Sequence, residues 1–294
     1  MLETLESCPS CGHQSYHSYI KCKDFTVTQE EFEIVMCDNC TLLFTNPRPT
    51  AKHLGRYYES EEYISHTNTA TNIIGIIYKA VRSIALKSKV KLINKASTKG
   101  TLLDYGCGTG HFLTQANKAG WQITGIEPSE SARANLDENI KSNVYTDINQ
   151  LKKDVKYNVI TLWHVLEHIS DLKHTLNLLV AKLADNGKLI VAVPNPDSYD
   201  AKVYESYWAA YDVPRHLYHF TQKSLAQLLE SMSLKIDYTL PMKFDAFYVS
   251  LLSEKYKRGR SNYFNSFING YKSNSYAKAN DNNYSSLIYI ISKK

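Results

Sequence analysis

Leu102-Leu103-Asp104-Tyr105-Gly106-Cys107-Gly108-Thr109-Gly110-His111-Phe112-Leu113 decides the fold of this chain. The apolar run reads as a strand, the three alternating glycines as a tight turn, and the apolar pattern after Gly110 as the start of a helix. A turn without side chains lets a ligand press against the main chain, and the helix N-terminus adds unpaired N–H groups. A nucleotide-like ligand is expected here. The spacing departs from the dinucleotide fingerprint G-x-G-x-x-G: the third Gly comes one position early, and His111 stands where that fingerprint has Gly. Asp104 precedes the turn. A carboxylate there repels a pyrophosphate and suits a cationic, amine-bearing ligand.

Working outward, the helix over about 111–118 ends at Gly120, which suits a left-handed C-terminal cap. Trp121 to Glu127 reads as a second strand ending in a carboxylate. In nucleotide-binding α/β folds an acid at that place takes the ribose hydroxyls, which assigns Glu127. Ser129 is expected to cap a helix through about Asn139. Further strands are expected at Asn143–Asp147, Tyr157–His164 and Gly187–Val193, then at Leu234–Tyr238 and Ser286–Ile291. Strands alternating with helices predict a parallel sheet that binds ligands at its carboxyl ends. A long amphipathic helix from about Asn72 to Asn94 should pack beside it, after an aromatic and acidic patch of Tyr57, Tyr58, Glu59 and Tyr63.

The glycine turn with Asp104 and Glu127 resembles motif I and its surroundings in the class I S-adenosylmethionine-dependent methyltransferases. That resemblance implies a Rossmann-like, seven-stranded, mostly parallel sheet with an antiparallel last strand. It implies that S-adenosylmethionine lies on Asp104, Gly106, Gly108, Gly110 and Glu127, with Asp147 near the adenine amino group. Trp163 and His164 would border the adenine or the reactive methyl. The stretch Trp163 to Asp171 is similar to one in ubiquinone-biosynthesis O-methyltransferases and small-RNA 3′-end methyltransferases. There a Glu-x-x-Glu-His pattern can bind a divalent ion. Here Glu167 and His168 are kept and His164 replaces the first Glu, so a His/Glu/His set would suit a transition metal better than Mg²⁺. The plainer reading, preferred here, has Glu167 and His168 fixing the loop and capping the next helix.

Cys8-Pro9-Ser10-Cys11 and Cys37-Asp38-Asn39-Cys40 form two C-x-x-C knuckles followed by Gly12 and Thr41. Two knuckles supply four thiolates for one structural zinc. Residues 1–50 therefore read as a zinc ribbon, 51–98 as a linker and helical region, and 99–294 as the methyltransferase core. Cys22 and Cys107 read as small buried residues. The 294 residues carry a formal net charge of +5. The groups Lys87, Lys89, Lys91 and Lys255, Lys257, Arg258, Arg260 read mainly as solvated helix faces. No stretch reaches the length of a membrane span, and the acidic start lacks a signal-peptide pattern, so a cytoplasmic protein is expected.

The segment 194–221 is too long for an ordinary connection and is expected to cover the substrate, with 251–285 as a second cover. It carries Tyr207, Trp208, Arg215, His216 and His219. With Tyr271, these are expected to wall a pocket for a sugar or phenol-like acceptor, Arg215 being available for a phosphate or carboxylate. His216 is the expected general base, with His164 the alternative. The zinc unit, the core and the Val213-Pro214-Arg215-His216 insert resemble a bacterial methyltransferase set, and sugar C-methyltransferases of that kind carry a longer C-terminal domain. Small-molecule O-methylation leads. An RNA methyltransferase would need a basic stripe on the ribbon, where Glu30, Glu31, Glu33 and Asp38 stand instead. A non-enzymatic binding module would be favoured by loss of the glycines or Glu127, and both are present.

Overall fold

The computed structural model describes residues 1–58, 73–152 and 154–294, with the side chains of 73–80 left out. Asn72, Glu59 and Tyr63 of the sequence reading lie outside the described residues. The N-terminal unit runs β1 (Leu2–Glu3), β2 (Tyr16–Lys23), β3 (Glu31–Cys37), β4 (Leu43–Thr45) and β5 (Arg48–Pro49). Strands β2, β3 and β4 form an antiparallel meander, and β1 pairs with β5.

After α1 (Ile73–Ala96) come β6 (Thr101–Tyr105), α2 (His111–Lys118), β7 (Gln122–Ile126), α3 (Glu130–Ala134), α4 (Glu138–Lys141) and β8 (Val144–Tyr145). Then follow β9 (Tyr157–Trp163), α5 (Leu172–Lys182), β10 (Leu183–Pro194), α6 (Tyr199–Tyr204) and β11 (Tyr218–His219). The chain finishes with α7 (Gln222–Glu230), β12 (Leu234–Pro241), α8 (Asp245–Arg258), α9 (Tyr263–Ala279) and β13 (Ser286–Lys293). The main sheet has seven strands in the order β12-β13-β10-β9-β6-β7-β8. Its last strand, β13, is antiparallel to both neighbours, as expected. The central strands are apolar on both faces because both faces are covered. Leu103, Ile160, Leu162 and Val191 pack into one layer. Leu102, Val159, Ile190 and Ala192, one residue out of phase, pack into the other.

Three local expectations change. The helix after Ser129 breaks in two, because Asp137 accepts the Asn139 N–H and caps a second short helix. The third parallel strand shrinks to the edge pair Val144–Tyr145. Glu167 and His168 do not cap α5; the Asp171 carboxylate does, accepting the His174 N–H.

The insert does more than cover the sheet end. β11 pairs antiparallel with β4, so the four-stranded sheet β11-β4-β3-β2 takes one strand from the insert. The Thr45 N–H donates to the Leu217 carbonyl, and the Leu217 N–H donates to the Glu167 carbonyl. The N-terminal sheet is thereby tied to the loop after β9. On the far side α8 and α9 pack tightly at Gly270, where a Cβ would stand 2.6 Å from the Phe247 ring.

Candidate active site

The turn after β6 is pinned to the next strand. Gly106 and Cys107 both donate N–H groups to the Ile126 carbonyl, at 2.7 and 3.0 Å. Gly110 sits at φ 73°, in left-handed backbone that launches α2. A Cβ there would meet Leu136 and Ile140, so close packing also requires glycine. Gly108 differs: a Cβ on it would meet nothing within 4 Å. Its bare backbone faces open space, where a ligand can lie against it.

Glu127 borders the same space. One carboxylate oxygen accepts the Gly108 N–H and the other the Ser129 N–H, both at 2.8 Å. Asp104 is 2% exposed and accepts the Thr161 hydroxyl at 2.6 Å. Burial pushes its carboxyl up to about 7, against the lowering influence of Thr161 and the Lys89 charge. The sheet order β9-β6-β7-β8 therefore lines up Trp163 and His164, Asp104 and the glycine turn, Glu127, and the exposed Asp147. Asp147 caps its own short turn by accepting the Asn149 N–H.

His164 follows β9 at φ 56°, a left-handed conformation that costs a histidine about 1–3 kcal/mol. The strain aims its side chain, 33% exposed, between two carboxylates. Its Nε2 lies 3.1 Å from Asp245 and its Nδ1 3.4 Å from Glu167. Burial opposes the charged ring, but the Asp245 and Glu167 carboxylates outweigh it and raise its pKa to about 9.

A family model described as a methyltransferase domain matches residues 79–238, more than half of the chain. The chain belongs to this methyltransferase family. The ubiquinone biosynthesis O-methyltransferase of Rickettsia conorii is 25% identical over 155 residues, covering 49% of this chain and 54% of that protein. The enzyme of that name in Rickettsia canadensis is 31% identical over 104 residues, covering 33% and 44%. The chain thus spans about half the length of the curated relatives it matches. Among solved structures, magnesium protoporphyrin IX methyltransferase of Synechocystis PCC 6803 with bound SAH aligns at a TM-score of 0.52 and 16% identity, covering 81% of this chain and 97% of that one. That likeness shows the shared class I fold.

The chain does not assemble the acceptor pocket read from the insert, and those expectations are corrected. Arg215 is 1% exposed and engages four of its five N–H donors: Nε and Nη2 donate to Asp212, Nη2 also to Asp24 at 3.0 Å, and Nη1 to the Tyr57 carbonyl at 2.8 Å. Its charge is engaged by these buried partners rather than offered to a phosphate or carboxylate. Trp208 is buried, its indole N–H donating to Asp200. Tyr207 packs against Phe25 of the N-terminal unit. Tyr271 is 64% exposed on α9, a surface position rather than a wall shared with the insert. His216 is buried, its Nδ1–H donating to the Ala210 carbonyl at 2.9 Å. The crevice it lines with Glu167, Trp208 and His219 is too tight to admit even a water-sized sphere, so it cannot seat an acceptor.

A second cluster lies behind His164. Glu167 is 0% exposed, and neither carboxylate oxygen has a hydrogen-bond partner. One ligand atom each from Glu167, His168 and His216 lies within 4.8 Å of the others. The Nδ1 of His168 donates to the Arg215 carbonyl, leaving each imidazole one nitrogen for another partner. His216, rather than His164, completes the set with Glu167 and His168.

The two cysteine knuckles are built alike. Gly12 and Thr41 are both left-handed, at φ 77° and 58°. Each donates its N–H to the carbonyl of the cysteine that opens its knuckle, Cys8 or Cys37. The sulfurs of Cys8 and Cys40 stand 3.5 Å apart and those of Cys11 and Cys37 3.6 Å apart. All four lie within 4.8 Å of one another, whereas a disulfide needs about 2.05 Å. Thiolates around one zinc at about 2.3 Å stand about 3.8 Å apart, so this set fits the ion.

Sequence reasoning missed three contributors. Thr161 and Asp245 had no motif to mark them. Lys89 was read with Lys87 and Lys91 as a solvated face, yet it turns inward onto Trp163. Spacing was the available signal: on a helix Lys87 and Lys91, four apart, share a face that Lys89, two from each, points away from. Among the described residues no helix is long and apolar enough to cross a membrane.

Proposed function

We propose that this protein transfers the methyl group of S-adenosylmethionine to a hydroxyl of a small molecule, a sugar or a phenol-like compound. The observation that carries the reading is the open backbone at Gly108 flanked by the Glu127 and Asp104 carboxylates. The names of the relatives, O-methyltransferases of ubiquinone biosynthesis, support oxygen as the acceptor atom. Bound there, the cofactor supplies an electrophilic methyl on a sulfonium. Glu127 would exchange its Gly108 contact for the ribose hydroxyls, Asp104 would hold the ammonium, and Asp147 would lie beside the adenine. Trp163 and His164, at the end of β9, would border the side of the cofactor that carries the reactive methyl. In-line displacement needs the acceptor oxygen placed opposite the leaving sulfur. His164 and Asp245 are a half-buried polar pair at that end. His164, held protonated by its two carboxylates, would orient the acceptor oxygen by donating to it, and the Asp245 carboxylate would take the hydroxyl proton.

Cys8, Cys11, Cys37 and Cys40 would hold a structural zinc, in a compartment that keeps thiols reduced. The exposed Glu30, Glu31 and Asp38 on that unit disfavour nucleic acid as its partner. A second metal reading has one specific support, the buried Glu167 carboxylate that accepts no hydrogen bond and lies beside His168 and His216. A transition ion there would satisfy that carboxylate and lock the insert to the end of β9. The reading is tested by incubating purified protein with labelled S-adenosylmethionine and a panel of sugar nucleotides and catechols. Methylated product at oxygen supports it; preference for NAD in a binding titration sinks it.

A further inference from the structure

The amphipathic pattern of α9 is inverted. The stripe it buries is Ser266, Gly270, Ser273 and Ala277. The stripe it turns outward is Tyr263, Phe264, Phe267 and Tyr271, each 59% to 74% exposed. A helix on a water-facing domain buries its large apolar side chains and exposes its small polar ones. Here the inner side is small and polar. The Ser273 hydroxyl donates to Asp200 at 2.6 Å, and the Asn269 amide donates to the Tyr204 hydroxyl at 2.8 Å. Gly270 lets α8 come close, and the Phe247 and Phe267 rings meet at 5.5 Å.

Phe244 and Tyr248 on α8 extend the aromatic face. Every exposed Phe among the described residues lies on these two helices. A contiguous apolar surface of this kind gains nothing from water and marks an interaction site. Phe244 adjoins Asp245, the partner of His164, so the face ends beside the candidate active site.

Charge decides the kind of partner. From Lys255 to Asn280 the chain has six cations, Lys255, Lys257, Arg258, Arg260, Lys272 and Lys278, and no Asp or Glu. Lys257, Arg260, Lys272 and Lys278 are exposed. A symmetric dimer through this face would press cations onto their own copies, and like charges repel. An anionic surface is complementary. A small inner stripe with a large apolar outer stripe is also how helices pair where the medium outside them is lipid. At 17 residues with polar interruptions, α9 suits lying along a bilayer, not spanning it.

We infer that the outer face of α8 and α9 docks this protein onto an anionic lipid bilayer. Phe264 and Phe267 enter the boundary between headgroups and acyl chains, and Lys257, Arg260, Lys272 and Lys278 meet the lipid phosphates. The docking does not depend on which acceptor is methylated.

The test is co-sedimentation of the full chain with vesicles of phosphatidylcholine and of an equal mixture of phosphatidylcholine and phosphatidylglycerol. Wild type is expected to bind the mixed vesicles about tenfold or more tightly than the neutral ones, a preference that added salt weakens. Phe264→Ser combined with Phe267→Ser should weaken binding to the mixed vesicles about tenfold or more. Lys257→Gln combined with Arg260→Gln should remove most of the preference for the mixed vesicles. Phe264→Trp keeps the face apolar, and its added fluorescence should be quenched by bilayers of brominated phosphatidylglycerol. No binding to mixed vesicles, equal binding to both kinds, or Phe264→Trp protein left unquenched overturns the inference. A lipid-free dimer of wild type that the Phe264→Ser, Phe267→Ser pair dissociates overturns it in favour of a second copy. Tighter binding to single-stranded RNA than to the mixed vesicles, lost in the same pair, overturns it in favour of nucleic acid.

Discussion

Thr45 and Leu217 are joined by a backbone hydrogen bond of 3.0 Å, and through it the cysteine-bearing sheet and the insert become one structure. The Thr45 hydroxyl adds a second tie, donating to the His216 carbonyl at 2.8 Å. Arg48 adds a third, donating to the Tyr218 hydroxyl and the Ser170 carbonyl. The N-terminal unit therefore acts as a brace for the loops that follow β9 and β10. This relationship frames the first two predictions.

Elemental analysis of protein purified without chelator should find about one zinc per chain in the four-cysteine site. Cys37→Ser should lose it. Because β4 carries β11, the variant should also expose the insert to limited proteolysis within 205–215. A variant that loses zinc with the insert still protected would break the proposed coupling. A further equivalent of transition metal, lost in His216→Ala, would support the Glu167-His168-His216 reading.

Arg215→Ala should destabilise the fold by about 3–5 kcal/mol, because it leaves the buried Asp24 and half-buried Asp212 carboxylates without their cation, Asp24 keeping only the hydrogen bonds of its own turn. Denaturant midpoints measure the loss. S-adenosylhomocysteine affinity of the folded variant should stay within about twofold, since the guanidinium faces the brace rather than the cradle. A large loss of affinity with little change in stability would restore Arg215 as a ligand-binding residue.

Glu127→Ala should weaken S-adenosylhomocysteine by about 1.5–3 kcal/mol, the worth of a charged hydrogen-bond acceptor. The same change frees the Gly108 and Ser129 N–H groups, so a modest loss of stability should accompany it. Binding unaffected by the substitution would remove Glu127 from the ribose site.

Cofactor affinity should depend on pH through Asp104. Its carboxyl titrates near 7 in the free protein, facing Lys89 from α1, Glu127 after β7 and Thr161 on β9. An ammonium ligand needs the ionised form. Affinity for S-adenosylhomocysteine should therefore rise between about pH 6 and pH 8. Stability runs the other way. A carboxyl whose folded pKa is raised stabilises fully below its unfolded value of about 4, and that contribution is lost as pH climbs through about 7. Asp104→Asn should flatten both profiles. A wild-type affinity that is level across this window contradicts the assignment.

His164→Ala should lower turnover by about 10²–10⁴-fold with little change in cofactor affinity, as expected of a group that, with Asp245, positions the acceptor hydroxyl for loss of its proton. Asp245→Asn should fall between it and wild type. The reverse order, with His216→Ala crippling and His164→Ala mild in single-turnover assays, would return the base role to the insert.

The amino-acid sequence alone determined the sheet and the cradle, because both are written in local signals. The glycine turn, Gly120 after α2, the carboxylate at the end of β7 and the two matched knuckles all act within a few residues of themselves. Backbone geometry at such places depends on the residue present more than on what packs nearby. Tertiary structure alone decided how the insert is used. The pairing of β11 with β4 joins segments far apart in the chain, and no local pattern chooses that partner. Once it forms, Arg215, Trp208 and His216 are buried against Asp24, Asp200 and Ala210 rather than offered to an acceptor. Long-range packing likewise turns Lys89 inward between exposed lysines and carries Asp245 to His164. Which side of a helix meets its neighbour, and whether a polar residue is satisfied there or left for a ligand, depends on atoms distant in sequence.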